Sequence, residues 1–184
     1  MYSSPEFFKK PKPVFILLGL LAVIFALTGC AYQSVAHLKR NPWQPDKEQT
    51  LNMNYLVFDY TCRQERESLS VNGVARLKQD SVPDWVVRAK DVWLGAYLSD
   101  QRGSILAKDL IILQAGKLDI QKGFAFGFDL TPQSMGSAGP LFITFGYRLV
   151  LTTDQQKRQI KSAETDLESE ADVFFATESA LFYN

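Results

Sequence analysis

Few side chains in this 184-residue chain have the types and neighbours that chemistry needs. Two are thiols, Cys30 and Cys62, and one is an imidazole, His37. Cys62 stands in Tyr60-Thr61-Cys62-Arg63, where the guanidinium groups of Arg63 and Arg66 would lower its pKa toward a reactive thiolate. A single Cys at a strand end is more simply a small, half-buried filler, and an oxidising compartment would leave it open to intermolecular pairing. A Ser-His-acid or Cys-His nucleophile needs a His held in place. His37 falls in a polar stretch without periodicity, which removes the commonest hydrolase designs. Asp84 with Asp91, and Glu168 with Glu170, have the composition for acid/base or cation-binding work, but on turns and a charged helix face they read as solvated surface. One His and two Cys do not complete a four-ligand zinc set. The run Gly123-Phe124-Ala125-Phe126-Gly127-Phe128 lacks the Lys-Ser/Thr end of a phosphate loop and reads as one buried face. The expectation is therefore no catalytic residue, no cofactor and no metal.

Cys30 carries chemistry of another kind. Lys9, Lys10 and Lys12 precede fourteen uncharged residues, Val14 to Leu27, in the order of a secretory signal peptide. A helix of that length covers roughly 21 Å, short of the ~30 Å hydrocarbon core, so a permanent span is the weaker reading. Leu27-Thr28-Gly29-Cys30, which ends the run, resembles the lipobox of bacterial lipoproteins. That resemblance implies cleavage after Gly29, diacylglycerol on the Cys30 sulfur and a further acyl chain on the new amino group. Several chains hold a protein firmly where one exchanges. In lipoproteins of the enterobacterial kind an Asp after the modified Cys favours inner-membrane retention. Ala31 stands there, so the resemblance implies the outer membrane over the inner, with the domain facing the periplasm.

What must position the remaining residues is a β-domain. Removing residues 1–29 takes away three Lys and one Glu, turning 20 basic against 20 acidic residues into 17 against 19, a net charge of −2. No basic field draws such a body to nucleic acid. Residues 30–50 hold Pro42 and Pro45 and read as the lipidated N-terminus and a flexible tether, with Trp43 either docking it on the domain or sitting at the lipid interface. From Leu51 the pattern has period two. Leu51 to Phe58 reads as an opening strand. Leu69, Val71 and Val74 follow a turn at residues 63–67, with Gly73 breaking the phase as a bulge would. Val92, Leu94, Ala96 and Leu98 share one face of a long strand, with Trp93, Gly95 and Tyr97 on the other. Residues 99–103 predict a hairpin turn into Ile105 to Leu113. The cleanest alternation runs from Leu141 to Leu151, with Ile143, Phe145 and Tyr147 inward and Thr144 and Arg148 outward.

This pattern predicts a mainly β fold over residues 51–152, an antiparallel β-sandwich of immunoglobulin-like or transthyretin-like size. Residues 153–184 are expected as a short C-terminal amphipathic helix and tail, with Ile160, Ala163, Leu167 and Ala171 at spacings of three and four. Residues 173–182 either extend that helix or return as a strand. Thirteen Phe, seven Tyr and three Trp suit a core with two inner faces. If any aromatics mark a protein-contact patch, Trp85, Trp93 and Tyr97 are the candidates. The functional expectation is a membrane-anchored envelope lipoprotein, attached through Cys30, whose non-catalytic domain binds an envelope protein or supports an assembly. The alternative is a small-ligand or substrate-binding domain accessory to an envelope enzyme.

Overall fold

Strands that bury every second residue carry this fold. The computed structural model describes residues 32–65, 68–132, 139–153 and 173–183. The expected signal peptide, Cys30 and the helix expected within residues 154–172 lie outside the described residues. The strands are β1 (Tyr32–Ser34), β2 (Asn41–Pro42), β3 (Glu48–Asn52), β4 (Leu56–Glu65), β5 (Ser68–Leu77), β6 (Arg88–Ser99), β7 (Ile105–Leu113), β8 (Gly116–Lys117), β9 (Phe124–Leu130), β10 (Phe142–Thr152), β11 (Val173–Glu178) and β12 (Leu181–Tyr183). A 3-10 turn at Gln79–Ser81 precedes β6.

The first sheet has the order β3-β4-β5-β9, the second β11-β10-β6-β7, and every pairing in them is antiparallel. Short β2 extends the second sheet against β10, β8 extends it against β6, and β1 with β12 forms a separate ribbon. The two sheets pack face to face as the expected β-sandwich. Their strand order keeps β3 to β5 together, and β9 returns beside β5 only after β6 and β7 have opened the second sheet. An immunoglobulin domain instead sorts its strands as ABED and CFG.

The core is aromatic at its centre. Phe58 on β4 stacks on Phe145 on β10 with ring centroids 4.3 Å apart, and Tyr60, Phe126 and Phe128 close around Phe145. Each such ring, fully buried, contributes about 1.5–3 kcal/mol through the apolar area it removes from water. Val92, Leu94, Ala96 and Leu98 line the inner side of β6, as the alternation predicts. The β6–β7 turn closes on Gly103 at φ 88°, with the Asp100 carboxylate accepting the backbone N–H groups of Arg102 and Ser104.

Several boundaries differ from those expected. The strand read from Leu51 to Phe58 is a hairpin: β3 ends at Asn52, Met53 N–H donates to the Leu56 carbonyl, and the inward phase restarts at Leu56, Phe58, Tyr60 and Cys62. Gly73 makes no bulge. It stays in register opposite Tyr60 and Phe126, where a Cβ would stand 2.2 Å from the Asp59 carbonyl oxygen. Residues 173–178 and 181–183 are strands.

The largest correction concerns residues 30–50. The stretch read as a tether is folded from Gln33 onward and belongs to the same compact unit as the sandwich. Val35 and Leu38 are buried, Pro42 pairs with Phe142 at a sheet edge, Trp43 packs on the core, and Glu48–Asn52 is a strand of the first sheet. Proline tolerates an edge because its missing N–H leaves no inner ladder bond broken. Residues 35–40 lie over the outer side of β10, where the Thr144 hydroxyl donates to the Lys39 carbonyl at 2.6 Å. Thr144, expected to face water, is therefore fully buried under a third layer.

Candidate binding face

The residues nominated by sequence for chemistry are placed in ways that suit structure. Cys62 is fully buried on the inner side of β4, and burial pushes its thiol up to about 12, the reverse of activation by Arg63 and Arg66. His37 is ordered, contrary to its assignment to a flexible segment, and its Nε2–H donates to the Ser179 carbonyl at 2.9 Å. Asp84 is exposed in the connection ahead of β6. Asp91 accepts the Trp93 Nε1–H at 2.5 Å and faces Arg148 Nε at 3.7 Å. Glu168 and Glu170 lie outside the described residues.

The outer sides of the two sheets differ in kind. On the first sheet, the outward positions of β3, β4 and β5 include Thr50, Asp59, Thr61, Asn72 and Arg76. The Thr50 hydroxyl donates to Asp59 at 2.6 Å, and Asp59 pairs with Arg76. That surface satisfies itself in water. On the second sheet, register aligns Trp93 with Arg148 and with Ile112, and Gly95 with Gly146 and with Leu110. Leu110 is 51% exposed, Ile112 60%, Val173 49% and Phe175 56%. The Arg148 guanidinium lies 5.2 Å from the Trp93 ring centre and 5.9 Å from that of Phe175. A cation between two aromatic faces is held by the ring quadrupoles, and here Asp91 fixes both the arginine and the indole.

The three nominated aromatics do not form one patch. Trp93 stands on this face. Tyr97 shares its side of β6 but packs over Gly95 and Gly146, with its hydroxyl bonded to the Ala180 backbone. Burial raises its pKa, consistent with a structural residue beneath the chain's C-terminal strands. A Cβ at Gly146 would come within 2.9 Å of the Tyr97 ring, so the glycine makes room for it. Trp85 lies in the connection entering β6 and is exposed there.

Sequence reading missed Arg148 and Phe175 as contact residues and Leu110, Ile112 and Val173 altogether. A signal existed: Leu110-Ile111-Ile112-Leu113 and Val173-Phe174-Phe175 are apolar on both alternating sides, in strands with little reason to be buried twice. Comparison with protein-family models, with curated proteins and with solved structures finds no match to this chain.

Proposed function

We propose that the chain is a bacterial envelope lipoprotein, anchored through lipid on Cys30, whose β-sandwich is a non-catalytic module that binds a protein partner and so supports an envelope assembly. The observation that carries this reading is the Trp93, Arg148 and Phe175 stack beside exposed Val173. Trp and Arg are the side chains that dominate binding energy at protein interfaces, and an exposed Phe beside them extends the apolar anchor. The lipobox and the charged n-region support the anchor, and Ala31 after Cys30 supports the outer membrane, with the domain in the periplasm.

Two measurements test the proposal. A fatty-acid analogue should label the wild-type protein and not Cys30→Ser; equal labelling removes the anchor. A photo-crosslinking residue at Phe175 should yield an adduct of defined mass in growing cells, and the same residue at Asn72 on the first sheet should not. Identical patterns from both positions would defeat the binding face, and substrate turnover by the purified protein would defeat the non-catalytic reading.

A further inference from the structure

We infer that Lys108, Leu110 and Ile112, on the outer side of β7, form a membrane-contact strip that rests on the bilayer holding the lipid of Cys30. The inference depends on the anchor proposed above and concerns the β7 side of the second sheet, which adjoins the Phe175 stack where Ile112 pairs with Trp93. Its first support is chain length. Gln33 is the third residue after Cys30, and three residues reach at most about 11 Å. Because residues 33–65 are folded, no slack remains to lift the domain from the membrane.

Direction is the second support. Ser34 bridges Ser104 in antiparallel sense, and Gln33 Oε1 accepts a hydrogen bond from Lys108 Nζ at 2.8 Å. Traced from Ser34 back to Gln33, the chain therefore runs beside β7 toward Leu110. Leu110 and Ile112 follow Lys108 at two-residue steps of about 6.6–6.8 Å, so Leu110 lies within the ~11 Å that the anchor can reach and Ile112 a few ångströms past it. The intervening Asp109 is drawn away from it, since its carboxylate accepts the backbone N–H groups of Leu110 and Asp129.

Composition is the third. Two aliphatic side chains more than half exposed suit the boundary between headgroups and acyl chains, and a lysine beside them suits lipid phosphate. So small a strip holds a bilayer only when the anchor supplies high local concentration. Strands in a sheet rotate by roughly 20–25° each, so β11, three strands from β7, faces well away from the lipid. Phe175 is then turned toward neighbours in the plane of the membrane.

The test uses full-length protein purified from membranes and reconstituted into vesicles of phosphatidylethanolamine with a minority of phosphatidylglycerol. An environment-sensitive fluorophore is placed on Ile112→Cys or on Asn72→Cys, since Cys62 is buried. Emission from position 112 should shift to the blue, rise several-fold and be quenched by lipids carrying a nitroxide on the upper acyl chain. Position 72 should behave as in water. A lipidated Cys30 peptide by mass spectrometry, together with a water-exposed position 112, overturns the membrane contact alone. A lipid-free Cys30 overturns the anchor. Shielding of position 112 that requires added membrane proteins assigns the strip to a protein and overturns the inference.

Discussion

The outer sides of the two sheets have the same backbone geometry and opposite surface chemistry. On the first sheet the outward residues bond to one another: Thr50 donates to Asp59, and Asp59 pairs with Arg76. On the second, Leu110, Ile112, Val173 and Phe175 face outward uncovered, while part of the same side is already occupied by residues 35–40 over Thr144 and by the Ala180 backbone at Tyr97. The sandwich core needs neither outer side. The difference therefore separates a surface adapted to water from one that already receives residues 35–40 and Ala180 of this chain and has apolar area left over.

The comparison requires a core that belongs equally to both sheets, and the largest expected effect tests that. Phe145→Ala removes the ring on which Phe58, Tyr60, Phe126 and Phe128 converge, and should cost about 3–5 kcal/mol in urea or thermal unfolding. A loss below about 1 kcal/mol would mean that the sheets are held together elsewhere.

Alkaline pH probes closure of the same core. Burial raises the pKa of Cys62 to about 12 and also raises those of Tyr60 and Tyr147. Below pH about 8 these groups are neutral in folded and unfolded chains, so their contribution to stability is fully present. As pH rises, the unfolded chain ionises first, and stability should fall progressively toward pH 12. A thiol reagent should modify Cys62 at neutral pH only after denaturation. Rapid modification of the folded protein would show that the inner side of the first sheet is open.

A smaller effect is expected where the sheets are clipped together beyond the core. The Tyr147 hydroxyl donates to Glu178 Oε2 at 2.8 Å and accepts the Tyr55 N–H, and Glu178 also accepts the Asn54 N–H. Tyr147→Phe should cost about 1–3 kcal/mol, because it strands those partners. Hydrogen exchange at Tyr55 should accelerate in parallel; unchanged exchange would remove the clip.

The smallest stability effects are expected on the outer sides, where the comparison is sharpest. Asp59→Ala breaks an exposed ion pair and should cost about 0–1 kcal/mol, decreasing with salt. Phe175→Ser should change stability by a similarly small amount yet abolish the crosslinked adduct formed from a neighbouring position such as Val173. If Asp59→Ala abolishes that adduct as well, the two sides do not differ in the way proposed.

The sequence by itself determined the local features. The inward phase of β6 and β10, the turn that ends at Gly103 and the burial of Phe126 and Phe128 follow from alternation and from residues with special backbone freedom, because each depends on neighbours along the chain. The resemblance of Leu27-Thr28-Gly29-Cys30 to a lipobox, on which the proposed anchor rests, is likewise a reading of contiguous residues. Tertiary structure decided what lies across from each strand. Polar, proline-containing residues 33–50 resemble a linker because their partners are remote: Val35 bonds to Gly103, Lys39 to Thr144, and His37 to Ser179, 142 positions away. Alternation likewise marks Thr144 and Phe175 as equally outward, yet one is sealed by the N-terminal segment and the other is open. Period two reports only the side of the pleat on which a residue stands, and the cover over that side comes from chain that no local pattern can locate.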